Sequence, residues 1–226
     1  MENVRVLYKT ENLIIIEKPC GIPSQPDTSG DKDAMTLTKE VLSSLSEKDE
    51  LYIINRLDRV VGGLVLFARN KTAAAKLSAL STEEKINKEY LAIVSGVPQE
   101  GRLRNYLYKD ARISKAFIAD KKKGGAKEAI LDLFPLSSVM GEKGEITLVK
   151  VKLHTGRYHQ IRCQLSGCGA PIVGDAKYGS KDRGAHYPAL YSHRLSFSAF
   201  GEDIDITSYP KTDSYPWNAF DIGGMK

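Results

Sequence analysis

The sequence predicts an α+β protein, with a mixed, mostly antiparallel sheet and flanking helices. Two observations carry that prediction: many short apolar or alternating runs bounded by turn residues, and only about three stretches with helical spacing. Residues 4–8 and 12–17 read as two strands split by Lys9-Thr10-Glu11. Pro19, Gly21, Pro23 and Pro26 then bar regular structure, so a long irregular loop follows. Thr38, Val41, Leu42 and Leu45 recur at helical spacing and predict an amphipathic helix. Residues 51–54 and 64–68 are strands, and the second is apolar on both faces, which belongs at the centre of a sheet. Asn70 is the expected N-cap of a helix through Ala73, Ala74, Leu77 and Leu80. Residues 88–94 alternate and then saturate with apolar side chains, as a strand entering a core does. Further strands are expected near 129–133, 146–153, 190–197 and 203–206. A helix over 158–165 would put Ile161, Leu165 and Cys168 on a buried face, with His159 and Arg162 together on a neighbouring one. No internal repeat, low-complexity tract or interdomain linker stands out.

Composition bounds the class. The 226 residues are enough for one large domain or two small ones, and 42% hydrophobic with 27% charged residues is ordinary for a soluble globular protein. The longest apolar stretches, 13–16 and 64–68, are far too short to span a bilayer. No apolar signal region follows the first residues, and Cys20, Cys163 and Cys168 are few and odd in number. A soluble cytoplasmic protein with free thiols is expected. The net charge of +5 is unevenly spread: residues 102–127 hold nine basic side chains against Asp110 and Asp120, which is +7 and leaves −2 for the rest. Concentrated positive charge of this kind suits phosphate contacts, and it also suits a solvated loop whose lysines aid solubility.

Two segments about a hundred residues apart read as halves of one site. Asn55-Arg56-Leu57-Asp58-Arg59, with Gly62-Gly63 behind it, offers a carboxylate at a turn before a buried strand. Thr155-Gly156-Arg157-Tyr158-His159-Gln160-Ile161-Arg162 offers positive charge and a row of donors. A carboxylate and an arginine in one cleft suit chemistry on an anionic polymer. Each residue also has a plain reading. Asp58 serves equally as a turn-capping aspartate. Arg162 fits a surface position as well as a partner for a cleft carboxylate. Tyr90 fits a core aromatic and a stacking surface for a base, and those two roles are compatible. His154, His159, Cys163 and Cys168 match no standard zinc spacing, and no phosphate-binding loop follows a strand, so neither metal nor nucleotide cofactor is expected.

Taken in order, the motifs resemble those of the RluA-type pseudouridine synthases. They are Glu17-Lys18-Pro19-Cys20-Gly21-Ile22-Pro23, Arg56-Leu57-Asp58 with 63–69, Lys88-Glu89-Tyr90 with 91–96, and Gly156-Arg157-Tyr158-His159-Gln160-Ile161-Arg162. Pro171-Ile172-Val173-Gly174-Asp175, Tyr178-Gly179 and Leu195-Ser196-Phe197 complete the series, which covers about residues 5–200. The resemblance implies a pseudouridine synthase fold with a central RNA-binding cleft, one catalytic domain over 1–226, and isomerisation of uridine in ribosomal or transfer RNA without cofactor or metal. It implies Asp58 as the essential carboxylate, as nucleophile or base, Arg162 as its ion-pair partner, and Tyr90 as the aromatic against the target base. Arg56 would fill the gap left by a flipped uridine. Arg56, Arg59, Arg157, His159, Gln160, Lys121, Lys122 and Lys123 are the RNA-binding candidates, and a monomer is expected. Asn55 stands where relatives have histidine, Val61-Gly62 where they have Thr-Ser, and Tyr191 where they often have histidine. Many relatives carry a small RNA-binding domain ahead of the catalytic one; with a first strand from Val4, none is expected here. An RNA binder without catalysis is the alternative, and a metal-dependent nuclease or deaminase lacks ligands.

Overall fold

The structure, a computed structural model, describes residues 4–225. The chain divides into two compact units, residues 1–88 with 192–209, and residues 89–191 with 210–226. The α+β class holds, with strands far outnumbering the three α-helices among the described residues.

In the first unit, β1 (Arg5–Lys9) pairs antiparallel with β2 (Leu13–Lys18), and β2 with β4 (Gly62–Ala68). The two-residue β3 (Tyr52–Ile53) pairs with the far end of β4. On the other side of β4 lies β10 (Leu190–Ala199), which pairs antiparallel with β11 (Glu202–Thr207). All residues of β4 are buried, as its two-faced apolar run predicts. Alternate side chains of β2 and β4 (Leu13, Ile15, Leu64, Leu66) meet Leu195 and Phe197 of β10 and the inner face of α2 (Lys71–Thr82). Each such aliphatic side chain taken fully from water stabilises the fold by about 1.5–3 kcal/mol. Asn70 caps α2, its Oδ1 accepting from Ala73 N at 2.8 Å, and Asp33 caps α1 (Ala34–Ser44) in the same way. Gly63 has a φ of +113°, and a Cβ there would lie 2.2 Å from the Ser192 carbonyl oxygen. Only glycine lets β4 come this close to β10.

In the second unit the strand order is β5 (Asn87–Ser95), β9 (Gly144–Leu153), β8 (Lys127–Gly141), β6 (Gly101–Asp110), β7 (Lys115–Ala119). The pairs β9–β8, β8–β6 and β6–β7 are antiparallel. Helix α3 (Gln160–Gly167) packs Cys163 against Leu107, Ala116 and Ala129 on one face of that sheet. Among the described residues no helix is long and apolar enough to cross a membrane.

Three readings need correction. Residues 101–119, outside the expected strands and offered in part as a solvated loop, form the hairpin β6–β7. Asn105 interrupts its inward leucines and tyrosines stand among its outward arginines, so the hydrophobic alternation is blurred. The third helix starts at Gln160, since His159 is left-handed at φ 51° and Tyr158 precedes it. Cys168, expected on the buried face, is exposed at the C-cap, where the helix has ended and its side chain no longer follows the 3.6-residue period.

Candidate active site

The first unit supplies the carboxylate. Asp58 opens a tight turn in which its carbonyl accepts from Val61 N at 3.0 Å, and its side chain is half-buried. That turn is held from below by the loop after β2. The Lys18 ammonium, fully buried, donates to the carbonyls of Pro19 (3.0 Å), Ile22 (2.8 Å) and Arg59 (3.4 Å). Gly21 N also donates to the Arg59 carbonyl, at 2.8 Å. Ser24 closes the brace, its hydroxyl accepting from Leu57 N and donating to Leu57 O, both at 2.9 Å. Burial pushes Lys18 down to about 8, against the opposite pull of Cys20 and of the Asp58 carboxylate. Asn55 spends its amide on β4, donating to Leu64 O and accepting from Leu66 N. The asparagine thus acts as one more rung of sheet pairing beside the turn. Arg56 is exposed. Arg59 reaches Asp31 (2.6 Å), Ser29 (2.6 Å) and Asp27 (3.2 Å), so its fork is engaged by the irregular loop.

The second unit supplies the guanidinium. Arg162 is buried on α3 and forms a bidentate pair with Asp175, Nε to Oδ2 at 2.6 Å and a terminal nitrogen to Oδ1 at 2.9 Å. Its guanidinium carbon lies 5.1 Å from the ring centre of Tyr178, which holds the charge between a carboxylate and a π-face. The Tyr178 phenol oxygen accepts from Ala116 N at 2.8 Å and shares a hydrogen bond with His159 Nδ1 at 2.9 Å. Burial raises that phenol well above its ordinary range, so it stays protonated. The His159 ring stacks on Tyr158 at 3.9 Å. Tyr90 is buried on β5. Gln160 is buried as well: its Oε1 accepts from Thr155 Oγ1 and Arg157 N, and its Nε2 donates to Ile130 O. It shapes the turn that presents the exposed Arg157. Lys121, Lys122 and Lys123 are exposed in the loop from β7 to β8.

Asp58, Arg56 and Arg59 thus belong to one unit, and Tyr90, Arg162 and the other candidates to its partner. Lys18, Asp175 and Tyr178 stand within the sequence motifs, which give them no role. The readable signal was a lysine between a strand end and a proline, and a lone aspartate thirteen residues after Arg162. Among the described residues no group of three or more histidine, cysteine or acidic side chains could hold a metal ion.

The first unit thus sets a half-buried carboxylate on a braced turn, and the second holds a buried guanidinium fixed by Asp175 and a basic hairpin. The family model for RNA pseudouridylate synthase matches residues 12–167, and the chain belongs to that family, with motifs of the RluA type. An uncharacterized RNA pseudouridine synthase of Aquifex aeolicus is 35% identical over 184 residues, 79% of this chain and 57% of that protein. The ribosomal large subunit pseudouridine synthase C of Rickettsia bellii is 28% identical, over 93% of this chain and 69% of that one. The chain therefore spans little more than half the length of the Aquifex relative. Among solved structures, human RNA pseudouridylate synthase domain containing 1 matches with a TM-score of 0.76 at 22% identity, covering 92% of this chain and 84% of its own. That likeness places the fold.

Proposed function

We propose that this chain is a cofactor-independent RNA pseudouridine synthase, working as one catalytic domain and as a monomer in the cytoplasm. The observation that carries the reading is Asp58, set on a turn clamped through backbone carbonyls by Lys18. In the reaction the bond between the sugar carbon and N1 of uracil breaks, the base turns, and C5 joins the same carbon. The C5 hydrogen leaves to solvent and N1 takes up a proton. Asp58 serves as nucleophile on the sugar or as base at the neighbouring sugar carbon. Arg162 and Tyr90 complete the catalytic set, with Arg162 as the partner of the carboxylate and Tyr90 packing on the extruded base. Arg56 fills the vacated stack. Arg59, Arg157, His159 and Gln160 grip the strand with Lys121, Lys122 and Lys123. Ribosomal RNA is the favoured target over transfer RNA, since the Rickettsia relative is named for the large ribosomal subunit.

The test is release of tritium from C5-labelled uridine in unmodified ribosomal and transfer RNA. Wild type is expected to release it, and Asp58→Ala to lose at least about a thousandfold in rate. Tight RNA binding without release from either RNA would leave a binder that keeps the fold.

A further inference from the structure

We propose that the face of the second unit's sheet turned away from α3 is a docking surface for unpaired RNA. The inference rests on the reading of RNA as substrate and extends it to a surface that the catalytic motifs do not include. Antiparallel register fixes which side chains share that face. On β6, Arg102, Arg104, Tyr106 and Tyr108 alternate with Leu107, which packs under α3. Tyr108 is opposite Phe117 of β7, and Tyr106 is opposite Glu128 of β8. On β8 the same side continues through Ile130, Asp132 and Phe134, whose partners on β9 are Lys152 and Lys150. None of these side chains is buried, whereas the opposite side holds Leu107, Ala116, Ala129, Leu131, Leu133 and Val151 in the core.

Three aromatic rings on a strand pair whose outer face stays open to solvent need an explanation beyond packing. Their partners are cations. The Lys123 ammonium lies 4.0 Å from the Tyr108 ring centre and Lys121 lies 5.7 Å from Tyr106, while Lys115, at the strand edge, lies between Phe117 at 5.4 Å and Tyr178 at 5.1 Å. Phe117 keeps 39% of its surface in solvent. The acids on this face, Glu128 and Asp132, are met by Arg104 and Arg102, so the lysines leave a net positive field. A protein partner with an apolar face would meet those charges unpaired. Nucleic acid would not: bases have π-faces for the rings and phosphates for the ammonium groups. An exposed ammonium on a ring is held by about 0.5–1 kcal/mol, and a base stacked there gains about 1–3 kcal/mol. A base therefore displaces the lysine, which swings to the adjacent phosphate. Duplex RNA hides its π-faces, so the surface selects unpaired strand.

The experiment uses a fluorescein-labelled oligocytidine, which has no uridine and cannot be isomerised. Anisotropy is expected to show binding by wild type, with affinity about tenfold or more lower in the Tyr106→Leu/Tyr108→Leu double variant. Phe117→Leu, at an exposed ring that the fold does not need, is expected to weaken binding several-fold with an unchanged melting temperature. For a readout free of variants, an oligocytidine carrying one 2-aminopurine should be quenched on binding to wild type, as a stacked base is. Unchanged affinity in the folded variants, or absent quenching, would overturn the proposal, as would a duplex that binds as tightly and competes for the same site. Tritium release by wild type separates the two readings: release without ring-dependent oligocytidine binding keeps the synthase and removes this surface, and the converse keeps the surface alone.

Discussion

At the scale of single residues, two buried charges behave in opposite ways. Arg162 and Asp175 compensate one another in a bidentate pair that is nearly free of solvent. Arg162→Met leaves the Asp175 carboxylate buried without its partner and is expected to cost about 3–5 kcal/mol, read as a lower denaturant midpoint. Lys18 is hydrogen-bonded to backbone carbonyls and paired bidentately with no carboxylate, and burial outweighs the pull of Cys20 and Asp58 to hold it near 8. Its folded value is below the unfolded one of 10.5, so between these values the unfolded chain binds more protons. Burying the charged form costs stability in full below pH 8, and that cost is relieved as pH rises through 8 towards 10.5. Wild type is thus expected to gain stability over that window relative to Lys18→Met, in parallel chemical melts at pH 7 and pH 9.5. Equal pH dependence in both proteins would show that Lys18 is not held as described.

At the scale of elements, the closest approach in the first unit is β4 against β10 at Gly63. Gly63→Ala drives a Cβ into the Ser192 backbone, at 2.2 Å from its oxygen, in a backbone region that side chains avoid. A loss of at least about 3 kcal/mol is expected, seen as a fall in melting temperature or as insoluble expression. The sequence exposes this element well, because a strand apolar on both faces has few alternatives and Asn70 announces the helix after it. The β6–β7 hairpin was hidden for the opposite reason. Strand alternation is read from hydrophobic contrast, and here the outward positions carry tyrosine beside arginine while an inward one is Asn105. Left-handed His159 was hidden too, since nothing in a histidine announces a positive φ and its place is set by Tyr178 and Tyr158.

At the scale of the whole molecule, positive charge is concentrated where the proposed RNA contacts lie. Residues 102–127 hold +7 of a chain whose total is +5, and the structure gathers much of it onto one hairpin and the loop beyond. Replacing Lys121, Lys122 and Lys123 with glutamine is expected to weaken RNA binding at low salt. It should also reduce the slope of log affinity against log salt by about 2, at roughly 0.7–0.9 for each phosphate no longer neutralised. An unchanged slope would place those lysines off the RNA. Of the candidate site, Asp58, Arg162 and Tyr90 stand out in the sequence because motif order singles them out, whereas the brace beneath Asp58 does not, since it is made of chain path. Lys18 reads the oxygens of residues 19, 22 and 59, and every amino acid carries such an oxygen. Side chains on the rim of the turn can therefore change without loosening the brace, provided that the backbone trace and one lysine stay the same.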